Sequence, residues 1–185
     1  MLAGNFNGTS SGLYSIQLPG FGQSAISSSS VGTGPAFTGP SSFILEPATN
    51  PTRALFVDMN PSTWRTVDLG SGARGTFTTT GGNPSLPLLG PLFFDGPNSQ
   101  IYGLNLYPPH LFVTTVAPGG MEIGRDMISG QVPGSMGIIG TGPLVDFGSG
   151  VCVDTARNIA FVTESTAGAV MAIDIASGDR VVIAR

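Results

Sequence analysis

The sequence predicts an all-β chain assembled from a repeated four-stranded antiparallel unit. Three observations carry that prediction. The 28 glycines and 15 prolines among 185 residues disfavour long helices, because both residues break them. β-Branched and aromatic residues recur in runs of about five, separated by tight polar turns. Finally, landmark residues return in the same order at a period near 50 residues, the mark of a tandem array.

The C-terminal stretch Gly140–Arg185 shows the unit most plainly. Its β-type runs are Gly150–Asp154, Ile159–Thr163, Ala169–Ile175 and Arg180–Ala184. The breaks between them, Thr155–Asn158, Glu164–Gly168 and Ala176–Asp179, are short and polar, as hairpin connections are. Four such runs make one meander.

The same unit is found upstream, with boundaries at 1–30, 31–80, 81–130 and 131–185. The first is incomplete: Leu2–Asn7, Gly12–Leu18 and Gln23–Ser27 supply three runs, and the first strand is missing. The second begins at Val31–Pro35 and runs through Gly39–Glu46, the turn Pro47–Thr52, Arg53–Asp58, Thr63–Leu69 and Arg74–Thr78. The third, least regular, has Leu89–Pro91 as its lead-in, then Gln100–Asn105, Pro108–Thr114, Gly120–Ile123 and Arg125–Ser129. Gly-Pro pairs at Gly34, Gly90 and Gly142 are spaced by 56 and 52 residues. Phe-Val pairs at Phe56, Phe112 and Phe161 are spaced by 56 and 49, and the arginines Arg74, Arg125 and Arg180 by 51 and 55. A four-stranded repeat of about 50 residues is the size of a propeller blade. A two-sheet sandwich would not bring the same landmarks back in phase. The expectation is a single partial β-propeller domain over 1–185, with about three and three-quarter blades.

Composition narrows the function classes. Charged residues make up 10% of the chain, against roughly 25% in ordinary soluble domains, and every basic residue is arginine. A net charge of −4 and a pI near 4.6 argue against nucleic acid, whose binders carry a basic stripe, and against an anionic membrane surface. No apolar run approaches the roughly 18 residues of a membrane span. The start, Met1–Asn7, has neither a basic region nor an apolar core, so no signal peptide is visible.

Individual residues give mostly structural readings. Cys152 is the single cysteine and lies between Val151 and Val153; it reads as a buried structural thiol. His110 is the single histidine and reads as a surface or turn residue, since no G-x-S-x-G elbow accompanies it and a zinc site needs more such ligands. Gly32-Thr-Gly-Pro and Gly140-Thr-Gly-Pro precede no helix pattern, so they read as inter-blade turns rather than phosphate loops. The hairpins Asp68–Gly72 with Arg74, and Asp174–Gly178 with Arg180, recur as a unit. There the Asp can accept turn N–H bonds, the Gly can take a positive φ, and the Arg can pair with a carboxylate.

These landmarks carry a family resemblance. Gly32, Gly34, Pro35, Phe43, Phe56, Val57, Asp58, Asp68, Leu69, Gly72 and Arg74 recur as Gly140, Gly142, Pro143, Val151, Phe161, Val162, Asp174, Ile175, Gly178 and Arg180. The pattern is similar to NHL-type repeats and to the wider six-bladed superfamily of gluconolactonase- and TolB-type propellers. Closed members have six or more blades, so the resemblance implies either part of a longer chain or a homodimer that completes a ring. It further implies a channel rim that binds a small molecule or a protein, and an extracytoplasmic setting. One rim would hold Asn5, Asp58, Thr114, Thr163 and Glu164 from second-strand ends, with Asp95, Asn98 and Asp146 from lead-in loops. Gluconolactonase-type enzymes bind a divalent cation through such positions, which marks Asp58, Asp146, Glu164 and Asn98 as candidate ligands for Ca2+ or Mg2+. The family's Glu-Gly-Pro lead-in is absent, and Thr38-Gly39-Pro40 and Asp146-Phe147-Gly148 stand in its place. Glu46, Asn105 and Asp154 are assigned to the opposite rim, as caps of the innermost strands. The expected function is a binding scaffold with an unidentified ligand. The alternative is a metal-dependent lactonase or esterase using Asp58, Asp146 and Glu164.

Overall fold

A computed structural model describes residues 2–5, 11–17, 20, 22–46, 52–59, 62–76, 89–117 and 121–185. The expected turn over Pro47–Thr52 falls almost wholly outside them. The described residues are all-β, with sixteen strands and no helix. The fold is that of a β-propeller, made of successive antiparallel sheets whose strands follow one another in chain order.

The chain divides into two compact units, Met1–Thr78 and Thr79–Arg185, each containing two sheets. In the first unit, β1 (Leu2–Asn5), β2 (Gly12–Ile16) and β3 (Gln23–Ser28) form a three-stranded sheet. Then β4 (Pro40–Leu45), β5 (Arg53–Met59), β6 (Ser62–Asp68) and β7 (Arg74–Thr76) form a four-stranded one. In the second unit, β8 (Leu89–Asp95), β9 (Gln100–Leu106), β10 (Pro109–Ala117) and β11 (Met121–Gln131) are joined at the outer edge by the short β12 (Ile138–Ile139). Its other sheet is β13 (Gly148–Asp154), β14 (Ile159–Glu164), β15 (Ala169–Asp174) and β16 (Arg180–Ala184).

Alternation along the strands builds a core between the two sheets of each unit. In the first, Leu13 packs with Ala54, Phe56 and Val67, and Ile26, Phe37 and Phe43 close its margin. In the second, Tyr102, Leu104, Leu111 and Ile128 of one sheet meet Ala160, Val162, Met171 and Ile173 of the next. Burying each such large side chain contributes about 1.5–3 kcal/mol.

Within each unit the junction between its two sheets is tied by an arginine at the start of the last strand. Arg74 donates to the carbonyls of Ser28, Val31 and Pro35 at 2.7–2.9 Å and to Ser27 Oγ at 2.8 Å. Arg180 donates to the carbonyls of Ile139 and Pro143 at 2.7 and 2.8 Å, to Gly140 and Gly142 at 3.3 and 3.2 Å, and to Ser129 Oγ at 2.6 Å. Ser27 and Ser129 in turn donate to the carbonyls of Gly72 and Gly178. Gly32 and Gly140 sit where the crossover passes over that turn, with φ of 79° and 73°. A Cβ at either would overlap the carbonyl of Gly72 or Gly178, so close approach and handedness both call for glycine. The hairpin glycines and aspartates behave as predicted. The arginines do not pair with carboxylates; main-chain carbonyls take that role.

The third repeat differs from the expectation by one strand. Leu89–Asp95 is a full strand paired with β9, so Gly90 and Pro91 lie inside it rather than in a lead-in turn. Phe112 consequently falls on the third strand of its sheet, whereas Phe56 and Phe161 lie on second strands. The expected third and fourth strands, Gly120–Ile123 and Arg125–Ser129, are one continuous β11. Arg125 stands mid-strand with its guanidinium 4.6 Å above the Phe112 ring and does not clamp a junction. Its agreement with the period is a coincidence of spacing.

Two further expectations are corrected. Cys152 is exposed, because its neighbours Val151 and Val153 take the core-facing positions and strict alternation sends it to the other face. His110 is buried at 3% exposure; it is the second residue of β10, faces the Gly130 backbone across the ladder and sets Nδ1 2.8 Å from the Pro108 carbonyl.

Candidate functional site

The carboxylates expected to ligate a cation are held by their own backbone. Asp58, next to the last residue of β5, is fully buried. Both its oxygens accept the Thr38 N–H, at 3.0 and 3.2 Å, and Arg65 Nε lies 3.5 Å away. Glu164 closes β14 at 4% exposure and accepts the N–H groups of Phe147, Thr166 and Ala167 at 3.0, 2.9 and 2.5 Å. Burial works against its ionised form, but these backbone donors outweigh it and hold the carboxyl below the usual range. In both sheets an acidic residue at the end of the second strand thus fastens the loop leading into the first. The bulged registers, Pro40↔Asp58 and Gly148↔Glu164, place the two carboxylates in equivalent positions.

The remaining candidates are dispersed. In the second unit, Gly148 at the start of β13 approaches Leu104, which lies in β9 near the start of its partner β8. The two sheets are therefore aligned start to start, and Asp95, at the far end of β8, is remote from Glu164. Asn98 donates to Asp95 at 2.6 Å in the β8–β9 turn, so both occupy the end opposite Asp146 and Glu164 rather than a lead-in loop. Asn105 shows the converse error: it lies near the β9–β10 turn, donating to the carbonyls of Tyr107 and Pro108, on the Glu164 end. Thr114 belongs to the third strand, with its hydroxyl on the Gly124 carbonyl. Thr163 is exposed and meets Ser149 at 3.0 Å, and Asp146 is exposed. Asn5 closes β1, and its side chain lies outside the described residues. Glu46 forms a two-point ion pair with Arg53 at 2.5 and 2.6 Å, and Asp154 pairs with Arg157. Asp154 also accepts the Arg157 N–H and so caps its turn as expected, whereas Glu46 is held by the Arg53 side chain rather than by backbone groups. Among the described residues no three His, Cys, Asp or Glu side chains converge as a metal site would require.

What the sequence reading missed is a groove of about 450 Å3 at the Glu164 end of the second unit, lined by Tyr107, Pro108, Gln131, Val132, Gly134, Ser135 and Met136. Tyr107 and Met136 are 70% and 95% exposed. The groove lies between the β9–β10 turn and the crossover leaving β11. Two signals pointed to it: a Tyr-Pro-Pro turn, and an isolated methionine in the glycine-rich stretch 130–142. Its lining holds no carboxylate, imidazole or basic side chain, and Ser135 Oγ accepts the Gly137 N–H.

The sheets and their order are those of a β-propeller. No known protein family and no curated protein matches the sequence. Among solved structures, the chain is similar to a proposed 6-phosphogluconolactonase from Bacteroides uniformis, with a TM-score of 0.58 and 12% identity over 98% of this chain and 49% of that one. It is also similar to the periplasmic gluconolactonase of Pseudomonas aeruginosa, with a TM-score of 0.57 and 12% identity over 94% and 49%. A Lactobacillus plantarum protein gives a TM-score of 0.58 and 11% identity over 99% and 65%. The chain spans about half the length of the first two. At these identities the likeness is one of fold.

Proposed function

We propose that this chain is a propeller binding scaffold that takes an uncharged or weakly polar ligand at the rim groove of its second unit. One observation carries the reading: the groove is lined by an exposed tyrosine, a methionine and small polar residues, with no acid, base or cation among them. An aromatic ring beside an adaptable thioether suits binding, and about 450 Å3 is within the range of small-molecule sites. In support, the buried carboxylates Asp58 and Glu164 are already spent on backbone N–H groups. A metal-assisted lactonase, using Asp58, Asp146 and Glu164 with Ca2+ or Mg2+, draws its support from the kinship of fold with gluconolactonases. The extracytoplasmic setting rests on the same footing, since one similar structure is periplasmic.

The test is a thermal-shift screen of the purified chain against a metabolite library, repeated on Tyr107→Ser and Met136→Ser. A compound that stabilises the parent and loses its effect in both variants supports the scaffold. Hydrolysis of gluconolactone above its spontaneous rate, dependent on added Ca2+ or Mg2+ and abolished in Glu164→Gln, would sink it in favour of the enzyme.

A further inference from the structure

The junctions within the two units follow one plan and differ by a single addition. Each begins at a serine whose hydroxyl donates to a turn carbonyl, Ser27 to Gly72 and Ser129 to Gly178. Each then reaches a glycine of positive φ, Gly32 or Gly140. The residue before that glycine gives its carbonyl to the clamping arginine, Val31 to Arg74 and Ile139 to Arg180. Between serine and glycine the first unit has the four residues 28–31, and the second has the ten residues 130–139. The six extra residues are 132–137, Val-Pro-Gly-Ser-Met-Gly.

The addition is a closed hairpin. Gly130 and Gln131 pair with Ile139 and Ile138. The Val132 N–H donates to the Gly137 carbonyl at 2.9 Å, and the Ser135 N–H returns to the Val132 carbonyl at 3.2 Å. At its tip Met136 is 95% exposed, so this side chain adds no apolar burial to the fold. The first unit makes its junction without the hairpin, and the clamp does not require it. What the hairpin does build is one wall of the rim groove, opposite the β9–β10 turn.

We infer that the hairpin is a binding jaw, and that the groove holds a planar, uncharged nitrogen heterocycle between Met136 and Tyr107. This rests on the rim-groove reading and names the class of its ligand. Tyr107, 70% exposed on the opposite wall, offers a free ring face for offset stacking. The Met136 thioether is favourable against an aromatic ring and adapts to its outline. Gln131 sets an amide donor beside an acceptor, the pairing that one edge of such a heterocycle presents. A saturated sugar is the poorer match. It has no π-face for the sulfur, and the Gln131 amide and Ser135 hydroxyl are too few for its many hydroxyls, whose burial without partners is costly. With no basic side chain in the lining, a phosphate on the ligand adds nothing.

The test is calorimetric titration with adenosine, riboflavin, AMP and glucose of the parent chain, Tyr107→Phe, Tyr107→Ser and a variant lacking residues 132–137. That deletion leaves a junction as long as the one around Arg74, so the variant should keep the parent's circular dichroism spectrum and melting temperature. Adenosine or riboflavin should bind the parent and Tyr107→Phe alike, and bind Tyr107→Ser and the deletion variant about tenfold or more weakly. AMP should bind no better than adenosine, and glucose should not bind. Should the deletion variant unfold, Tyr107→Ser decides by itself. Three results overturn the inference: neither heterocycle binds, a heterocycle binds undiminished without the hairpin or the Tyr107 ring, or glucose binds and Tyr107→Ser abolishes it. The last of these leaves the rim-groove reading standing. A metabolite library in which no compound depends on Tyr107 and Met136 removes that reading as well.

Discussion

Arg74 and Arg180 do the same work in the two units, but under different conditions. Arg74 is half-buried and leans on the Phe37 ring at 5.3 Å. Arg180 is 6% exposed, and burial lowers its pKa from the ordinary arginine value. Around Arg180 the crossover is also better fastened. Asp179 accepts the Thr141 N–H and hydroxyl at 2.7 and 2.8 Å, and β12 pairs with β11. At the matching place the first unit has Ala73, and Thr33 has no such carboxylate beside it. One motif therefore yields a solvent-shared tie in one unit and a desolvated one in the other. The wetness of the surroundings, more than the number of bonds, sets how much each arginine matters.

The largest effect should fall equally on both junctions. Gly32→Ala and Gly140→Ala each force a Cβ onto a backbone carbonyl at positive φ, and each is expected to cost at least about 3 kcal/mol in urea unfolding. Unequal losses would show that the two turns are not equivalent. Next come the arginines. Arg180→Leu leaves buried carbonyls unpaired and should cost about 3 kcal/mol, whereas water can satisfy those around Arg74, so Arg74→Leu should cost about 1–2 kcal/mol. Equal losses in the same measurement would break the comparison. A third contrast is one of pH. Burial, reinforced by Arg125 and opposed by the Pro108 carbonyl, lowers the His110 pKa from 6.5. Below that value the unfolded chain binds the proton more readily, so stability is complete above about pH 6.5 and falls as pH drops towards the folded pKa. Thermal melts between pH 7.5 and 5.5 should show this decline, and His110→Gln should flatten it, since the chain has no other histidine. The smallest effect belongs to the loop fastener: Asp179→Ala should lower the melting temperature slightly, and Ala73→Asp should raise it by importing the same bond.

Legibility in the sequence followed turn chemistry. The hairpins Asp68–Gly72 and Asp174–Gly178 were readable because an Asp that caps the following N–H groups leaves a local signature. The third repeat was misread because Gly90-Pro91, Phe112-Val113 and Arg125 match the period while lying one strand away from, or midway along, their supposed places. The Asp95–Ser99 segment, read as a lead-in loop, is in fact the hairpin turn between β8 and β9. Cys152 was misjudged because a Val-Cys-Val run says that two residues share a face without saying that the third is buried. The site was less legible still. Whether a carboxylate is free to bind a cation depends on which N–H groups reach it, and the Thr38 and Phe147 amides that engage Asp58 and Glu164 are distant in sequence and carry no side-chain signal.

The clamps have one further consequence, which concerns variation. Apart from one serine each, and the Phe37 ring beneath Arg74, Arg74 and Arg180 hold main-chain carbonyls, and every residue type provides a carbonyl. Aside from the glycines and Phe37, the crossovers they hold can therefore change their side chains without loosening the grip. A fold joined in this way tolerates wide sequence drift, consistent with a likeness to solved propellers that persists at 12% identity.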